Sequence, residues 1–308
     1  MILIPNIRFC NSFSYDKLHK KQNQGVFNMN FAYFSYILAL LLFGSNGIIA
    51  NHIQLDSAEI VFYRTFIGSL LLIIVFLFSK KHWTFYKYKQ QFLFLTLSGV
   101  AMGASWMFLY EAYQQIGVSV SSMLYYCGPI IVMIFSPFLF KEKLTPRKII
   151  GFLCVFTGIL LVNGKLAATG THIFGIFCGV MSAVMYSFMV IFNKKAANIS
   201  GLENSLLQLT ISFLTVAIIT LFRGNFTFSI PEHSILPLIF LGLVNTGLGC
   251  YLYFSKLDKL PVQTVSILGY LEPLSAVLLS VIILQEQMTF VQIVGSLLML
   301  GGAIYSET

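Results

Sequence analysis

Charged side chains are scarce in this sequence, and that scarcity excludes an ordinary water-soluble domain. Only 10% of the 308 residues are Asp, Glu, Lys or Arg, and 57% are hydrophobic. Soluble domains average about a quarter charged residues. The net charge of +8 does not indicate a nucleic-acid interface, because the basic residues lie between long apolar runs and form no continuous stripe. The composition is that of an integral membrane protein.

Several chemical motifs are also missing. The five cysteines include no CxxC pair, and four of them lie inside apolar runs. They are therefore expected to be reduced, packed thiols that form no metal site. No GxxxxGK[ST] loop is present, so nothing in the chain predicts nucleotide hydrolysis, and no cofactor is expected. The five histidines occupy loops or the N-terminal segment and form no HExxH motif, which argues against an intramembrane enzyme.

The apolar residues form ten segments long enough to cross a bilayer, since a spanning helix needs roughly 20 apolar residues. The segments run from Phe31 to Ala50, Ser57 to Phe78, Gln91 to Gln114, Val118 to Phe140, Arg147 to Asn163, Ile173 to Asn193, Asn204 to Phe222, Ser234 to Ser255, Pro261 to Leu284 and Phe290 to Tyr305. Each segment must satisfy its own backbone hydrogen bonds in lipid, and a helix does so.

The basic residues predict how these segments are oriented. If the N terminus is cytoplasmic, one side of the membrane holds Arg8, Lys17, Lys20, Lys21, Lys80, Lys81, Lys87, Lys89, Lys141, Lys143, Arg147, Lys148, Lys194, Lys195, Lys256 and Lys259. The other side holds only Lys165 and Arg223. Sixteen against two satisfies the positive-inside rule, so we expect a multi-pass protein of the cell membrane with both termini in the cytoplasm.

The first 30 residues differ from the rest of the chain. They hold four basic residues against Asp16 alone and contain no apolar core long enough for a signal peptide. We expect a disordered cytoplasmic tail over residues 1–30. Met29 is an alternative start of translation, and the sequence does not decide between Met29 and Met1.

The stretch from Gly103 to Gly158 is repeated 144 positions later without a gap. The shared register pairs Gly103 with Gly247, Ser122 with Ser266, Tyr126 with Tyr270, Pro129 with Pro273, Glu142 with Glu286, Thr145 with Thr289, Gly151 with Gly295 and Gly158 with Gly302. Matches of Pro, Glu, Tyr and Gly are less readily explained by composition than apolar matches. The chain therefore reads as two copies of one membrane unit, over residues 31–164 and 171–306.

The two copies are expected to enter the membrane from opposite sides, because five helices per copy is an odd number. The turn KEKLTPRK of the first copy becomes QEQMTFVQ in the second, which keeps Glu and Thr and loses the positive charge. The predicted fold is an all-α integral membrane protein with ten transmembrane helices arranged as two inverted five-helix repeats. Inverted repeats place a substrate site near the midplane and permit alternating access.

Short motifs make this chain similar to a known family. The GSN of Gly44 to Asn46, Arg64, the LEP of Leu271 to Pro273 and the turns KEKLT and QEQMT resemble the EamA-type family of the drug/metabolite transporter superfamily. The resemblance implies a ten-helix carrier with helices one to four and six to nine around a cavity, and helices five and ten peripheral. Members export amino acids or other small metabolites, take up solutes with protons, or carry drugs. Gly128 occupies the position equivalent to Glu272, so that carboxylate belongs to one half only.

Arg64 and Glu272 are the two charges predicted near the middle of the bilayer. Arg64 lies about 8 residues, or roughly 12 Å, from the outer face, and Glu272 about 11 residues, or roughly 16 Å, from the inner face. A charge at this depth needs a partner or water. Arg64 is therefore a candidate for gripping a carboxylate, and Glu272 for binding an amine or carrying a coupling proton. The alternative is a structural ion pair that holds the two copies in register.

Aromatic and proline residues add further candidates. Trp106 and Tyr110 share one face of the third segment and are expected either to cover a ligand or, for Tyr110, to join the aromatic belt. Tyr126 and Tyr270 hold equivalent positions and are expected to approach the axis between the copies. Pro129 and Pro273 each remove a backbone donor, which predicts either a hinge or a packed kink.

Polar residues within the apolar segments are either cavity lining or interhelical contacts. These residues are Asn46, Gln208 and Asn245, accompanied by Tyr186. Four carboxylates lie near the membrane surfaces: Glu59, Glu111, Glu142 and Glu286. Glu59 and Glu111 are expected to be solvated, whereas Glu142 and Glu286 are expected to cap helix starts.

These features favour a secondary carrier that moves a small zwitterion, such as an amino acid, most simply as an exporter. A carrier of lipophilic cations and a proton-coupled uptake carrier stay open as alternatives, with an enzyme or a non-transporting scaffold less favoured. The expected partners are a small-molecule substrate and the lipid bilayer, without nucleic acid. Small residues on many helices permit a homodimer as well as internal packing.

Overall fold

The computed structural model describes residues 29–50, 52–116, 118–162, 173–223, 229–285 and 289–307, and within these ranges the secondary structure is helical. The helices are α1 Met29–Ala50, α2 Ser57–Phe78, α3 Lys89–Ile116, α4a Val118–Tyr125, α4b Gly128–Phe140, α5 Pro146–Val162, α6 Ile173–Lys195, α7 Gly201–Arg223, α8a Glu232–Phe240, α8b Gly249–Phe254, α9a Val262–Leu268, α9b Leu271–Leu284 and α10 Phe290–Glu307. A π-helix, Leu241–Leu248, joins α8a to α8b, and these three stretches together are called α8. The predicted tail lies outside the described residues, apart from its last two.

Seven helical stretches in the described ranges are long and apolar enough to cross a membrane, and two shorter apolar helices accompany them. Large apolar side chains cover the outside of the molecule, including Phe78 at 83% exposure and Phe222 at 89%. An apolar surface of this extent, together with seven apolar spans, is typical of a protein embedded in lipid. The protein is therefore an integral membrane protein, and its total of ten crossings stays a prediction.

The fourth and ninth predicted segments are each divided into two short helices. Pro129 stands at the beginning of α4b, and Pro273 stands in the first turn of α9b. A proline is tolerated there because the first N–H groups of a helix have no partner within it. Both second halves end on a residue in the left-handed conformation, Lys141 at φ 57° and Gln285 at φ 54°. These two residues are 144 positions apart, so the breaks and the helix ends recur in the register of the repeat.

Helices α5 and α10 pack against each other through glycines. A Cβ atom on Gly151 would lie 2.6 Å from the carbonyl oxygen of Gly302, and one on Gly158 would lie 2.5 Å from that of Gly295. The contact advances along α5 while it retreats along α10, so the two helices are antiparallel. In the repeat, Gly151 is equivalent to Gly295 and Gly158 is equivalent to Gly302. The first glycine of α5 therefore contacts the second glycine of α10, and the second glycine of α5 contacts the first glycine of α10. Such reciprocal contacts are those of a twofold axis.

Two carboxylates near the ends of helices cap backbone amides. Glu142 accepts hydrogen bonds from the backbone N–H groups of Val262 (2.7 Å) and Gln263 (3.1 Å). The predicted capping role of Glu142 is confirmed, although the capped helix is α9a in the other copy. Glu286 lies outside the described residues. The prediction of a solvated Glu59 is wrong, because Glu59 is 4% exposed and accepts from the backbone N–H of Asp56 at 3.2 Å.

Candidate functional site

A cavity lies between helices of both copies. Among the described residues it is lined by Phe43, Asn46, Arg64, Met102, Trp106, Tyr125, Tyr186, Met189, Cys250, Tyr253, Phe254 and Glu272. These side chains come from α1, α2, α3, α4a, α6, α8b and α9b, whereas α5, α7 and α10 contribute none. The cavity has a volume of about 50 Å³, which is enough for a few water molecules.

Arg64 forms the cationic part of the wall and is held in place from three sides. Its Nε donates to Thr246 Oγ1 (3.0 Å), and its Nη1 donates to Tyr110 Oη (3.1 Å). The guanidinium carbon lies 4.6 Å from the centre of the Trp106 ring. Arg64 is only 2% exposed, yet it lines the cavity. Among the described residues, no hydrogen bond is found at its third nitrogen, Nη2.

Tyr110 therefore supports the arginine and is itself 8% exposed. The aromatic-belt alternative for Tyr110 is not what the structure shows, because a belt residue would meet the headgroup layer. Thr246 is the corresponding support on α8. Its Oγ1 accepts from Arg64 and donates to the Leu241 carbonyl oxygen at 2.9 Å. That second bond joins residues five apart, within the π-helix, so the position of Arg64 depends on this unusual turn.

Glu272 forms the anionic part of the wall. It stands in the first turn of α9b, immediately after the break in the ninth segment, and it is half-buried. Among the described residues an ion pair joins Lys259 and Asp258 at 2.9 Å, and none joins Arg64 to Glu272. Arg64 and Glu272 thus share a cavity without pairing with each other, and a structural ion pair between them is not formed in this conformation.

Asn46 and Asn245 lie where α1 and α8 depart from regular α-helix. Helix α1 is interrupted by a turn at Ser45, and Asn245 belongs to the π-helix. The Asn245 side-chain nitrogen donates to the Leu42 carbonyl, Ser45 Oγ and Asn46 Oδ1, at 2.8, 2.8 and 2.9 Å. Asn46 lines the cavity, and Asn245, which does not line it, positions the Asn46 side chain through this hydrogen bond.

Tyrosines and other aromatic residues cover much of the remaining wall. Tyr186 Oη lies 3.4 Å from Tyr253 Oη, and the Tyr186 ring centre is 5.3 Å from that of Tyr125. Two hydroxyls bonded to each other leave mainly ring surface for a ligand. The wall can therefore contact an apolar body while its charges lie at Arg64 and Glu272.

Several predicted residues lie elsewhere. Tyr270 is 1% exposed and donates from Oη to the backbone carbonyl of Tyr126 at 2.9 Å. These two equivalent residues meet each other and do not appear on the cavity wall, where Tyr125 is found. Gln208 accepts from Asn193 Nδ2 at 3.2 Å in a buried contact between α6 and α7. The cavity thus receives Asn46, Arg64, Trp106, Tyr186 and Glu272 directly, and Tyr110 and Asn245 support it.

Most of the apolar lining of the cavity could not be predicted from the sequence. Phe43, Met102, Met189, Cys250, Tyr253 and Phe254 were not predicted. In a chain so rich in apolar residues, an apolar cavity residue resembles a packed one. Four described cysteines, at 127, 154, 178 and 250, are free thiols. The described residues include no cluster of three His, Cys, Asp or Glu side chains able to hold a metal ion.

Comparison with known proteins assigns the chain to a family. The model of the EamA-like transporter family matches residues 30–164 and again residues 173–307. The chain belongs to the EamA-like transporter family. It is 24% identical over 269 residues to the uncharacterized transporter YxxF of Bacillus subtilis, a match that covers 86% of each chain. It is 25% identical over 236 residues to human solute carrier family 35 member G1, covering 72% of this chain and 64% of that one.

A crystal structure of a second protein has the same fold as this EamA-like chain. The two superpose with a TM-score of 0.76 at 18% identity, covering 90% of this chain and 98% of the other. The family and its relatives identify this protein as a multi-pass transporter, which agrees with the resemblance noted in its sequence motifs.

Proposed function

We propose that this protein is a secondary-active carrier that exports a small zwitterion, such as an amino acid, by alternating access. Its ten membrane helices form two inverted repeats, residues 31–164 and 171–306, in the cell membrane with both termini in the cytoplasm. The substrate carboxylate binds Arg64 and its ammonium group binds Glu272, while the aromatic wall covers the apolar body. Pro129 and Pro273 mark the hinges at which the fourth and ninth helices bend.

One observation carries the proposal: a buried guanidinium and a carboxylate line one cavity and are not paired with each other. A buried charge without a counter-charge is costly. A zwitterion supplies both missing charges at once, whereas a polyanion supplies only the negative charge and a neutral sugar supplies no charge. Thr246 and Tyr110 accept hydrogen bonds from Nε and Nη1 of Arg64, so the proposed contact of the substrate carboxylate is with Nη2.

The inverted arrangement is supported by the packing of α5 and α10. Two antiparallel helices that make reciprocal glycine contacts fit a twofold axis in the membrane plane, as inverted repeats require. The excess of basic residues on one side of the predicted topology gives its orientation. The fourth and ninth helices are interrupted at equivalent positions, before Pro129 and Pro273. We propose that these interruptions are the hinges about which the two copies move relative to each other.

The size of the cavity fits an occluded conformation. At about 50 Å³ it is smaller than the roughly 300–1,000 Å³ typical of ligand pockets. An amino acid enters only if the two copies move apart on one side. On the cytoplasmic side the Lys194 ammonium, which donates to the backbone carbonyls of Leu257 (3.0 Å) and Leu260, is one contact that such an opening breaks.

The proposal is tested by counterflow in proteoliposomes, with labelled amino acids and other metabolites screened with and without a pH gradient. Arg64→Ala and Glu272→Gln should each reduce exchange of the best substrate by at least about 30-fold, since each leaves a substrate charge without its partner. Glu232→Gln, which alters an exposed carboxylate at the start of α8a, is the control and should exchange normally. Native rates in both cavity variants would overturn the proposal.

Lipophilic cations form the second candidate class, because the aromatic wall together with Glu272 suits a cation–π site. Efflux of tetraphenylphosphonium separates the two classes. A cation carrier should need Glu272 and should tolerate Arg64→Ala, whereas a zwitterion carrier needs both residues.

A further inference from the structure

A second pocket opens at the end of α2, away from the central cavity. It is lined by Phe76, Lys80, Lys81, His82, Thr84, Asn198, Ser200 and Glu203, and its volume is about 430 Å³. We call it the basic pocket. It shares no lining residue with the central cavity, and it lies between the α2–α3 connection of one copy and the α6–α7 connection of the other.

The charges in the basic pocket favour an anion. Lys80, Lys81 and His82 are consecutive and exposed, and in the described part of the chain neither lysine forms an ion pair. The one carboxylate, Glu203, is occupied: it accepts from the Thr84 backbone N–H (2.7 Å), Thr84 Oγ1 (2.5 Å) and the Phe85 backbone N–H (2.9 Å). Glu203 therefore holds the loop that forms the pocket, and the lysines are free to meet a ligand.

The backbone at the end of α2 places both lysines at the pocket. Helix α2 ends where the Ser79 N–H and Ser79 Oγ both donate to the Phe76 carbonyl, at 3.1 and 2.8 Å. The next residue, Lys80, has φ 53°, a left-handed conformation usually taken by glycine or asparagine at this point of a helix. The chain turns away from α2 at this residue, and Lys80 and Lys81 both line the pocket.

The surroundings of the pocket indicate that the anion belongs to a lipid. Leu77 and Phe78, the last residues of α2, are 72% and 83% exposed and face the hydrocarbon layer in a membrane. Trp83 packs against Phe76, a lining residue, with ring centres 4.2 Å apart, and tryptophan is enriched at membrane–water interfaces. An acyl chain that lies along α2 would bring its headgroup to the lysines.

We propose that the basic pocket binds the phosphate-bearing headgroup of an anionic phospholipid of the cytoplasmic leaflet. Lys80 and Lys81 contact the phosphate, and Asn198 and Ser200 offer hydrogen-bonding groups to the hydroxyls of a glycerol headgroup. The volume exceeds that needed by an inorganic phosphate. This site is independent of the substrate cavity, and it rests on the proposed orientation only for the choice of leaflet.

Native mass spectrometry of the full-length protein tests the site. Phosphatidylglycerol should give stoichiometric adducts that phosphatidylcholine does not give. Neutralising two lysines near a membrane surface is expected to lower the affinity for an anionic lipid roughly tenfold or more. Lys80→Gln/Lys81→Gln should therefore reduce the phosphatidylglycerol adducts to that extent. Lys87→Gln/Lys89→Gln, which removes one charge from the same connection and one from the first residue of α3, both outside the pocket lining, should retain them.

Each other outcome overturns the proposal. An equal loss in the Lys87/Lys89 control would mean diffuse attraction to anionic lipid. Competition by millimolar soluble glycerol phosphate would mean a site for a free anion. Retained adducts in a Lys80/Lys81 variant with native melting behaviour would remove these residues from lipid binding. The charge-preserving Lys80→Arg/Lys81→Arg variant shows whether a loss reflects charge or folding, since it should bind phosphatidylglycerol as the native chain does.

Discussion

At the scale of single residues, the position of Arg64 depends on two neutral hydroxyls. Thr246 and Tyr110 accept hydrogen bonds from two of its nitrogens, and the ring of Trp106 lies against the face of the guanidinium. None of these groups neutralises the guanidinium charge. They orient it and leave the charge available, which is the arrangement expected of an anion-binding arginine.

Removal of the Tyr110 hydroxyl tests this support. Tyr110→Phe leaves Arg64 Nη1 without its acceptor, and a hydrogen bond to a charged group contributes about 1.5–3 kcal/mol. We expect the half-saturating substrate concentration to rise about tenfold or more in transport assays on proteoliposomes. Tyr113→Phe, one turn away on α3 and outside the cavity lining, is the matched control and should change little. Equal behaviour of the two variants would contradict a supporting role for Tyr110.

The same scale shows what the sequence revealed and what it did not. Because each residue of a helix advances the chain by the same rise, counting residues from the ends of the second and ninth segments predicted similar depths in the bilayer for Arg64 and Glu272. Choosing between Tyr125 and Tyr126 required the break in the fourth segment, which sets the direction of each side chain. The repeat pointed to Tyr126 and Tyr270, and the structure joins those two to each other through the Tyr270 hydroxyl.

At the scale of elements, the backbones of α5 and α10 pack in close contact at their glycines. Two adjacent glycines of α10, one at this contact and one away from it, allow a matched test of its contribution to stability. A Cβ on Gly302 would lie 2.6 Å from the Gly151 carbonyl oxygen and 2.8 Å from Cys154 Cβ, whereas a Cβ on Gly301 would meet nothing within 4 Å. Gly302→Ala should therefore force the helices apart at a cost of about 1–3 kcal/mol.

The expected readout is thermal unfolding of the detergent-solubilised protein. Gly302→Ala should lower the melting temperature by several degrees, at roughly 2–4 °C per kcal/mol for chains of comparable size. Gly301→Ala should leave it unchanged or raise it slightly, since alanine favours helix. Equal melting temperatures for both variants would mean that α5 and α10 do not depend on this contact.

The elements were predictable to different degrees. Apolar length and the prolines indicated the membrane segments and the two broken helices. The π-helix of α8 was not predicted, because the stretch Leu241–Leu248 reads as an ordinary apolar helix with two glycines. Its one clue was polar: Asn245 and Thr246 stand side by side in an apolar segment, and each bonds to a residue of the site.

At the scale of the whole molecule, the repeat register and the α5–α10 contact point to the same arrangement. Equivalent glycines cross reciprocally, equivalent tyrosines meet, and equivalent helices end in the same left-handed conformation. The cavity between the copies is nevertheless asymmetric, since Glu272 has Gly128 as its counterpart. Under the proposed function, a carboxylate present in one copy only would fix the orientation in which the zwitterion binds between two similar halves.

Thiol labelling from each side of the membrane tests the inverted arrangement most directly. Thr145 and Thr289 are equivalent residues, both exposed and both just before a peripheral helix. In a cysteine-free background, Thr145→Cys should react with a membrane-impermeant maleimide only from the cytoplasmic side, and Thr289→Cys only from the exterior. Reaction of both cysteines from the same side would contradict the inverted repeat and, with it, the shared cavity of Arg64 and Glu272.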